Sequence, residues 1–152
     1  MKPNSTVKEQ SLTPHTAGRA QTETSSSGEL DSRILAALQA SSDKKAVDPV
    51  ILDLREIASF TDYFLIVSGT NERQVQAISD EVYESLKKSG SAAARVEGYK
   101  TAEWILLDYG DFVVHVFEQK ARQFYDLERL WREAKRIELP AEFAQSSLRT
   151  ES

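Results

Sequence analysis

Four aspartates near the ends of expected strands are the residues best suited to chemistry. They are Asp53, Asp62, Asp108 and Asp111. Paired carboxylates can hold Mg²⁺ for phosphoryl transfer, so these residues admit a magnesium-dependent, nucleotidyltransferase-like enzyme. Each also has a structural explanation, because Asp is common beside turns, where its side chain accepts hydrogen bonds from nearby backbone. Since the four are not gathered in a motif, we expect the structural roles and no metal site.

Other kinds of catalysis lack their residues. The chain has no cysteine, which excludes thiol nucleophiles, disulfides and metal–thiolate sites. The phosphate-loop, dinucleotide-binding and hydrolase-elbow motifs are also missing. Of the two histidines, His115 could act as a general base, but it lies mid-strand without an evident orienting acid or nucleophile. We interpret His115 as a packed or interfacial imidazole, and we expect no cofactor and no enzymatic activity.

The composition indicates a soluble chain whose partner is basic. With 152 residues and 40% hydrophobic content, the chain can bury one core. No window approaches the roughly 20 consecutive apolar residues that a membrane span requires. The net charge of −5 disfavours binding to nucleic-acid phosphates as the main activity and suits a basic protein. We expect a cytoplasmic protein.

The composition changes along the chain and divides it into three parts. Residues 1–29 are rich in Ser and Thr without apolar periodicity, which predicts a disordered N-terminal tail. An organellar transit peptide is the alternative, although acidic residues and few arginines count against it. We expect a folded domain over residues 30–140 and a flexible C-terminal tail over residues 141–152.

Apolar periodicity predicts a mixed sheet with helices packed on it. A helix capped by Asp31 is followed by strands over 50–55 and 61–69, and a long helix then begins at Thr70 or Asn71. A short strand over 94–99 is interrupted at Gly98, where a bulge or a close backbone approach is expected. After a hairpin, one last helix carries Phe124, Leu127, Trp131 and Ala134 on one face. The fold class is α/β or α+β with about five strands.

The hairpin over residues 102–117 organises these elements. Tyr109-Gly110 predicts a two-residue turn, with Asp108 opposite Asp111 and Trp104 opposite His115. One face is wholly apolar, and the other mixes an indole and an imidazole with aliphatic side chains. The mixed face fits either a protein interface or a second core layer. The candidate partner contacts are Trp104, Leu106, Leu107, Tyr109, His115 and Phe117.

Six short blocks are distinctive in combination. They are Asp62 to Gly69 (DYFLIVSG), Arg73-Gln74-Val75, Glu97-Gly98, Trp104 to Asp111 (WILLDYGD), Val114 to Phe117 (VHVF) and Phe124 to Trp131 (FYDLERLW). In this order they closely resemble the ribosomal silencing factor family, also called Iojap-related. The resemblance covers about residues 31–137. The chain departs from the family at Asn71, where Ser is often found.

The resemblance implies a fold related to nucleotidyltransferases but without their activity. It further implies binding to the large ribosomal subunit through its L-fourteen protein, on the face that receives the small subunit. Such binding would block subunit joining and repress translation when nutrients are limiting, and related proteins also take part in large-subunit biogenesis. The family is commonly dimeric, so the same apolar face is a candidate for self-association.

Overall fold

The computed structural model describes residues 30–144, which form one sheet flanked by helices. The strands are β1 Val47–Asp53, β2 Tyr63–Gly69, β3 Arg95–Glu97, β4 Trp104–Asp108, β5 Phe112–Glu118 and β6 Lys135–Ile137. The helices are α1 Ser32–Asp43, α2 Glu72–Lys88, α3 Gln119–Tyr125 and the short α4 Leu127–Leu130. None of the helices in the described chain is long and apolar enough to cross a membrane.

The sheet is mixed, in the order β3-β4-β5-β2-β1-β6. Only β2 and β5, the two central strands, pair in parallel, and the other neighbours are antiparallel. This architecture confirms the predicted mixed sheet with helices on it. The additional strand β6 pairs with β1 opposite Ile51 to Asp53. It spans three residues, two of them cationic, which is too short for periodicity to reveal a strand.

The predicted cap of the long helix is present. The Asn71 side chain accepts a hydrogen bond from the Gln74 backbone N–H at 2.8 Å. The Gln74 side chain returns to the backbone N–H of Thr70 at 2.6 Å, one residue before the cap. The resulting helix α2 buries the apolar residues at helical spacing, Val75, Ile78, Val82 and Leu86. Asp31 likewise caps α1, as expected, by accepting a hydrogen bond from the Arg33 backbone.

The hairpin forms, but its register differs by two residues from the prediction. Asp108 lies opposite Val113, and Trp104 lies opposite Phe117. The turn is longer because it bonds to the β1–β2 connection: the Thr61 hydroxyl donates to the Gly110 carbonyl at 2.8 Å, and the Asp62 N–H donates to the Asp111 carbonyl at 2.9 Å. A shift of two residues keeps every side chain on its predicted face.

The predicted C-terminal helix is interrupted. Asp126 adopts a left-handed conformation, with φ 50° and ψ 52°, and separates α3 from α4. The bidentate ion pair between Arg122 and Glu128 spans this break at 3.0 and 3.2 Å. Arg122 also donates to the hydroxyl of Ser68 on β2 at 2.9 Å. These tertiary bonds hold the chain against the sheet in a path that a continuous helix could not follow.

The packed chain extends beyond the expected boundary at residue 140. Residues 141–144 form one helical turn, in which Phe143 is 5% exposed. Phe143 lies against a small apolar hollow whose lining includes Leu38, Pro49 and Val67. The predicted N-terminal tail, residues 1–29, and residues 145–152 of the predicted C-terminal tail, 141–152, lie outside the described residues.

Candidate protein-binding surface

The two faces of the sheet are covered to different extents. Helix α2 contacts β2, β4 and β5. The apolar face predicted for the hairpin is buried completely, and its Leu107 has no exposed surface. Tyr109 is also buried, with its ring stacked on Phe112 at 4.9 Å between centroids. Leu107 and Tyr109, both predicted as partner contacts, therefore lie in the core of the described chain, where a partner could reach them only if the fold opened.

The mixed face is covered only in part. Ala121 and Leu127, from α3 and α4, pack in one cluster with Phe64, Ile66 and Phe117. Phe117 is fully buried and His115 is 3% exposed, so these two candidates are core as well. Their burial was not visible in the hairpin sequence, because it depends on Phe64 of β2 and on the packing of the helices that follow β5. The mixed face thus combines both alternatives, a second core layer and an accessible margin.

Trp104 and Leu106 lie on that accessible margin. Both are half-buried and pack against the cluster from its edge. The Trp104 ring stacks on Phe117, with centroids 4.9 Å apart and planes 28° apart. The indole N–H donates to Nδ1 of His115 at 3.0 Å. Of the six candidates from the sequence, these two can contact a partner without opening the fold.

Gly98 borders this margin on one side. The predicted close backbone approach is confirmed, because Gly98 adopts φ +82° and a Cβ there would overlap the carbonyl oxygen of Trp104. Glu97, Gly98, Trp104 and Leu106 line a shallow depression of about 230 Å³. The absence of a side chain at position 98 therefore lets β3 end against β4 and leaves the indole accessible from this side.

Two aromatic residues that the hairpin did not reveal extend the margin. Tyr125 is 46% exposed, with its ring 5.0 Å from that of Trp104. Phe124 is 79% exposed and meets Tyr125 edge-on at 5.0 Å. Helical spacing predicts Phe124 on the inner face of a continuous helix, but in the structure it lies on the exposed side of α3, which ends at Tyr125 before the break at Asp126. We call Leu106, Trp104, Tyr125 and Phe124 together the Trp104 surface.

Three of the four aspartates considered for metal binding have arginine partners. Ion pairs join Asp53 to Arg55 at 2.8 Å, Asp111 to Arg33 at 2.8 Å and Asp108 to Arg95 at 3.3 Å. Burial alone would raise the pKa of Asp53, but the hydrogen bonds from Arg55 outweigh it and hold that pKa below its usual range. Within residues 30–144, no three His, Asp or Glu side chains are grouped as metal ligands.

His115 is equally unsuited to acid–base chemistry. Burial lowers the pKa of its imidazole to about 3, so the ring is neutral near pH 7. Its Nδ1 accepts a hydrogen bond from the Trp104 indole N–H, and its ring packs beside those of Phe64 and Phe117. A buried imidazole between aromatic rings has no access to a substrate.

Comparison with known proteins identifies the family. The model of the family "Ribosomal silencing factor during starvation" matches residues 27–152. The chain belongs to this family. It is 45% identical over 103 residues to the ribosomal silencing factor RsfS of Halalkalibacterium halodurans, which covers 68% of this chain and 88% of the relative. The RsfS of Bacillus subtilis is 43% identical over 98 residues, which are 64% of this chain and 83% of the relative.

Further relatives of this ribosomal silencing factor family include an organellar protein and solved structures. The mouse protein "Mitochondrial assembly of ribosomal large subunit protein 1" is 31% identical over 91 residues, and the chain spans 40% of its length. A crystal structure from Chromobacterium violaceum has a TM-score of 0.66 at 33% identity, covering 74% of this chain and 90% of that one. A crystal structure from Bacillus halodurans has a TM-score of 0.64 at 42% identity, covering 72% of this chain and 100% of that one. The family is one of ribosome-associated regulators, and this member is not an enzyme.

Proposed function

We propose that this protein binds the large ribosomal subunit through its L-fourteen protein and thereby keeps the small subunit from joining. The observation that carries the proposal is the Trp104 surface, a continuous aromatic and aliphatic patch at the uncovered margin of the sheet. Large aromatic side chains at the centre of such patches commonly dominate binding energy. The proposed result is repression of translation under nutrient limitation, with a contribution to large-subunit biogenesis.

The charge of the chain supports a basic ribosomal protein as the partner. The net charge is −5, and Glu97, beside the indole, has a side chain that is 56% exposed and pairs with Arg95 at 3.3 Å. Acidic groups at the rim of an apolar patch accelerate encounter with a basic partner more than they strengthen the final complex. The patch would therefore supply affinity, and the net acidic charge of the chain would guide association.

Phe124 offers the sharpest test of this surface. Since its side chain is 79% exposed, Phe124→Glu should leave the thermal unfolding transition near that of the wild type. It should weaken binding to the isolated L-fourteen protein at least tenfold, about 1.4 kcal/mol, measured by titration calorimetry. Trp104→Glu is a less clean probe, because that indole also packs on Phe117.

Leu130→Glu is the matched control for this experiment. Leu130 is 70% exposed and lines a different depression, together with Ile57 and Trp131. The control should bind the ribosomal protein as the wild type does. Equal binding by the wild type and Phe124→Glu, with both folded, would remove the Trp104 surface from the proposal.

We also propose that the protein self-associates through the same surface. Exposure of an aromatic patch to water is unfavourable in free energy, and a second copy of the chain can cover the patch when no ribosome is present. In that case the dimer and the ribosomal complex exclude one another. Sedimentation of Phe124→Glu should show a monomer at concentrations where Leu130→Glu remains dimeric. A dimer in both variants would place the self-association elsewhere.

The alternative of a magnesium-dependent nucleotidyltransferase-like enzyme finds no support in the aspartates, which are not grouped as metal ligands within residues 30–144. A nucleotide titration in the presence of Mg²⁺ distinguishes this enzyme from a ribosome-binding factor. Saturable binding that Asp108→Asn abolishes would favour that alternative.

A further inference from the structure

The His115 side chain is buried yet incompletely bonded. It lies in the middle of β5 with 3% of its surface exposed. Its Nδ1 accepts the indole N–H of Trp104 at 3.0 Å. Its Nε2 is buried and has no hydrogen-bond partner among the described residues. Leaving a buried polar atom unpaired destabilises a fold, so this imidazole is not explained by core packing alone.

The hydrogen bond defines the state of the imidazole. A nitrogen that accepts a hydrogen bond carries no proton, so the single proton of the neutral ring must be on Nε2. Protonation of Nδ1 would turn two N–H groups toward each other and break the bond to Trp104. Burial among aromatic rings disfavours that charged form. The acceptor is therefore available across the physiological pH range.

The bond also determines what Trp104 presents to a partner. The indole is held by the stacked Phe117 ring, by Tyr125 and by the hydrogen bond to His115. Because the N–H is satisfied inside the protein, the accessible part of the ring is apolar. A side chain already fixed in its bound orientation loses less conformational freedom on binding.

We propose that His115 is a positioning residue, which orients the Trp104 indole for the partner without contacting the partner itself. This inference rests on the proposed function, because it assigns His115 a role in the same surface. It replaces the direct contact that the sequence suggested for this residue. The unpaired Nε2 is the structural cost of placing a hydrogen-bond acceptor beneath the indole.

Two substitutions at position 115 separate positioning from packing. His115→Asn can place its Oδ1 where Nδ1 lies and so can still accept the indole N–H. His115→Leu fills a similar volume but offers no acceptor. In the full-length chain, Leu should weaken binding to large ribosomal subunits about fivefold, whereas Asn should restore it to within twofold of the wild type.

Indole motion provides a readout that a purely structural role would not change. In a Trp131→Phe background, Trp104 is the only tryptophan, and its time-resolved fluorescence anisotropy reports its mobility. His115→Leu should show faster local motion than the wild type, and His115→Asn should not. Unchanged mobility and affinity in the folded Leu variant would overturn the proposal, as would equal losses in the Asn and Leu variants.

A measurement on the wild-type protein covers the case in which the Leu variant does not fold. The ¹⁵N spectrum of the imidazole should show Nδ1 without a proton and Nε2 with one from about pH 5 to pH 8. A proton on Nδ1 would overturn the proposal directly. If Phe124→Glu leaves ribosome binding intact while the indole is immobilised as described, the proposed function fails and the hydrogen bond stands.

Discussion

At the scale of single residues, His115 ties the stability of the fold to pH. Burial lowers its pKa to about 3, from a usual value of 6.5. A base whose pKa is lowered on folding takes up protons more readily when unfolded. The neutral ring therefore makes its full contribution to the free energy of unfolding above about pH 6.5, and this contribution is lost as the pH falls toward 3.

This linkage predicts a specific pH dependence. Between pH 7 and pH 5, the free energy of unfolding of the wild type should fall by about 2 kcal/mol more than that of His115→Asn. That window lies above the range in which Asp and Glu titrate, so carboxylates contribute little to it. Urea denaturation at each pH measures the difference. Parallel curves for the two proteins would contradict a neutral, buried imidazole.

At the scale of elements, the hairpin shows what the sequence could and could not predict. Alternation along β4 and β5 assigned each side chain to its face, and the assignment survived an error of two residues in register because the strand period is two. The burial of His115 and Phe117 could not be inferred from the hairpin alone, since Phe64 of β2 packs on His115 and residues of α3 and α4 pack in one cluster with Phe117.

The interrupted helix marks another limit of sequence reasoning. The apolar residues from Phe124 to Ala134 match helical spacing, but Asp126 adopts a left-handed conformation that periodicity does not encode. The bonds of Arg122 to Glu128 and Ser68 depend on the assembled sheet. Consequently the exposed Phe124 and Tyr125, half of the Trp104 surface, were not selected from the sequence.

The junction between β3 and β4 predicts a difference between two glycines. Gly98 and Gly90 both have positive φ, of +82° and +98°, but only at Gly98 would a Cβ meet other atoms. Gly90→Ala should lower the free energy of unfolding by about 1 kcal/mol, because of the backbone conformation alone. Gly98→Ala should cost roughly 2 kcal/mol more, because the methyl group displaces the backbone of Trp104.

Chemical denaturation of the two variants measures this difference, and ribosome binding adds a second comparison. Gly98→Ala should also weaken binding, since it moves the strand that carries the indole. Gly90→Ala should bind normally. Equal losses of stability in both variants would show that the close approach of β3 to Trp104 does not constrain the fold.

At the scale of the whole molecule, net charge and apolar surface have separate roles. The acidic balance of −5 should affect how fast the protein reaches a basic ribosomal partner, and the Trp104 surface should determine how slowly it leaves. Raising ionic strength from about 0.05 M to about 0.5 M should lower the association rate constant while leaving dissociation nearly unchanged.

Substitution of Glu97 tests the effect of charge on the association rate without a change of buffer. Its side chain is exposed at the rim of the depression beside Trp104. Glu97→Lys should slow association with the L-fourteen protein in surface plasmon resonance and leave the dissociation rate similar. An association rate independent of both salt and this substitution would argue against a basic partner.

The central claim is that binding through the Trp104 surface keeps ribosomal subunits apart, and a sucrose-gradient joining assay tests it most directly. Purified large and small subunits are mixed with wild-type protein, Phe124→Glu or Leu130→Glu. The wild type and Leu130→Glu should hold the subunits in separate peaks, whereas Phe124→Glu should allow them to sediment as joined ribosomes. If folded Phe124→Glu blocks joining as fully as the wild type, obstruction does not depend on this surface and the account is contradicted.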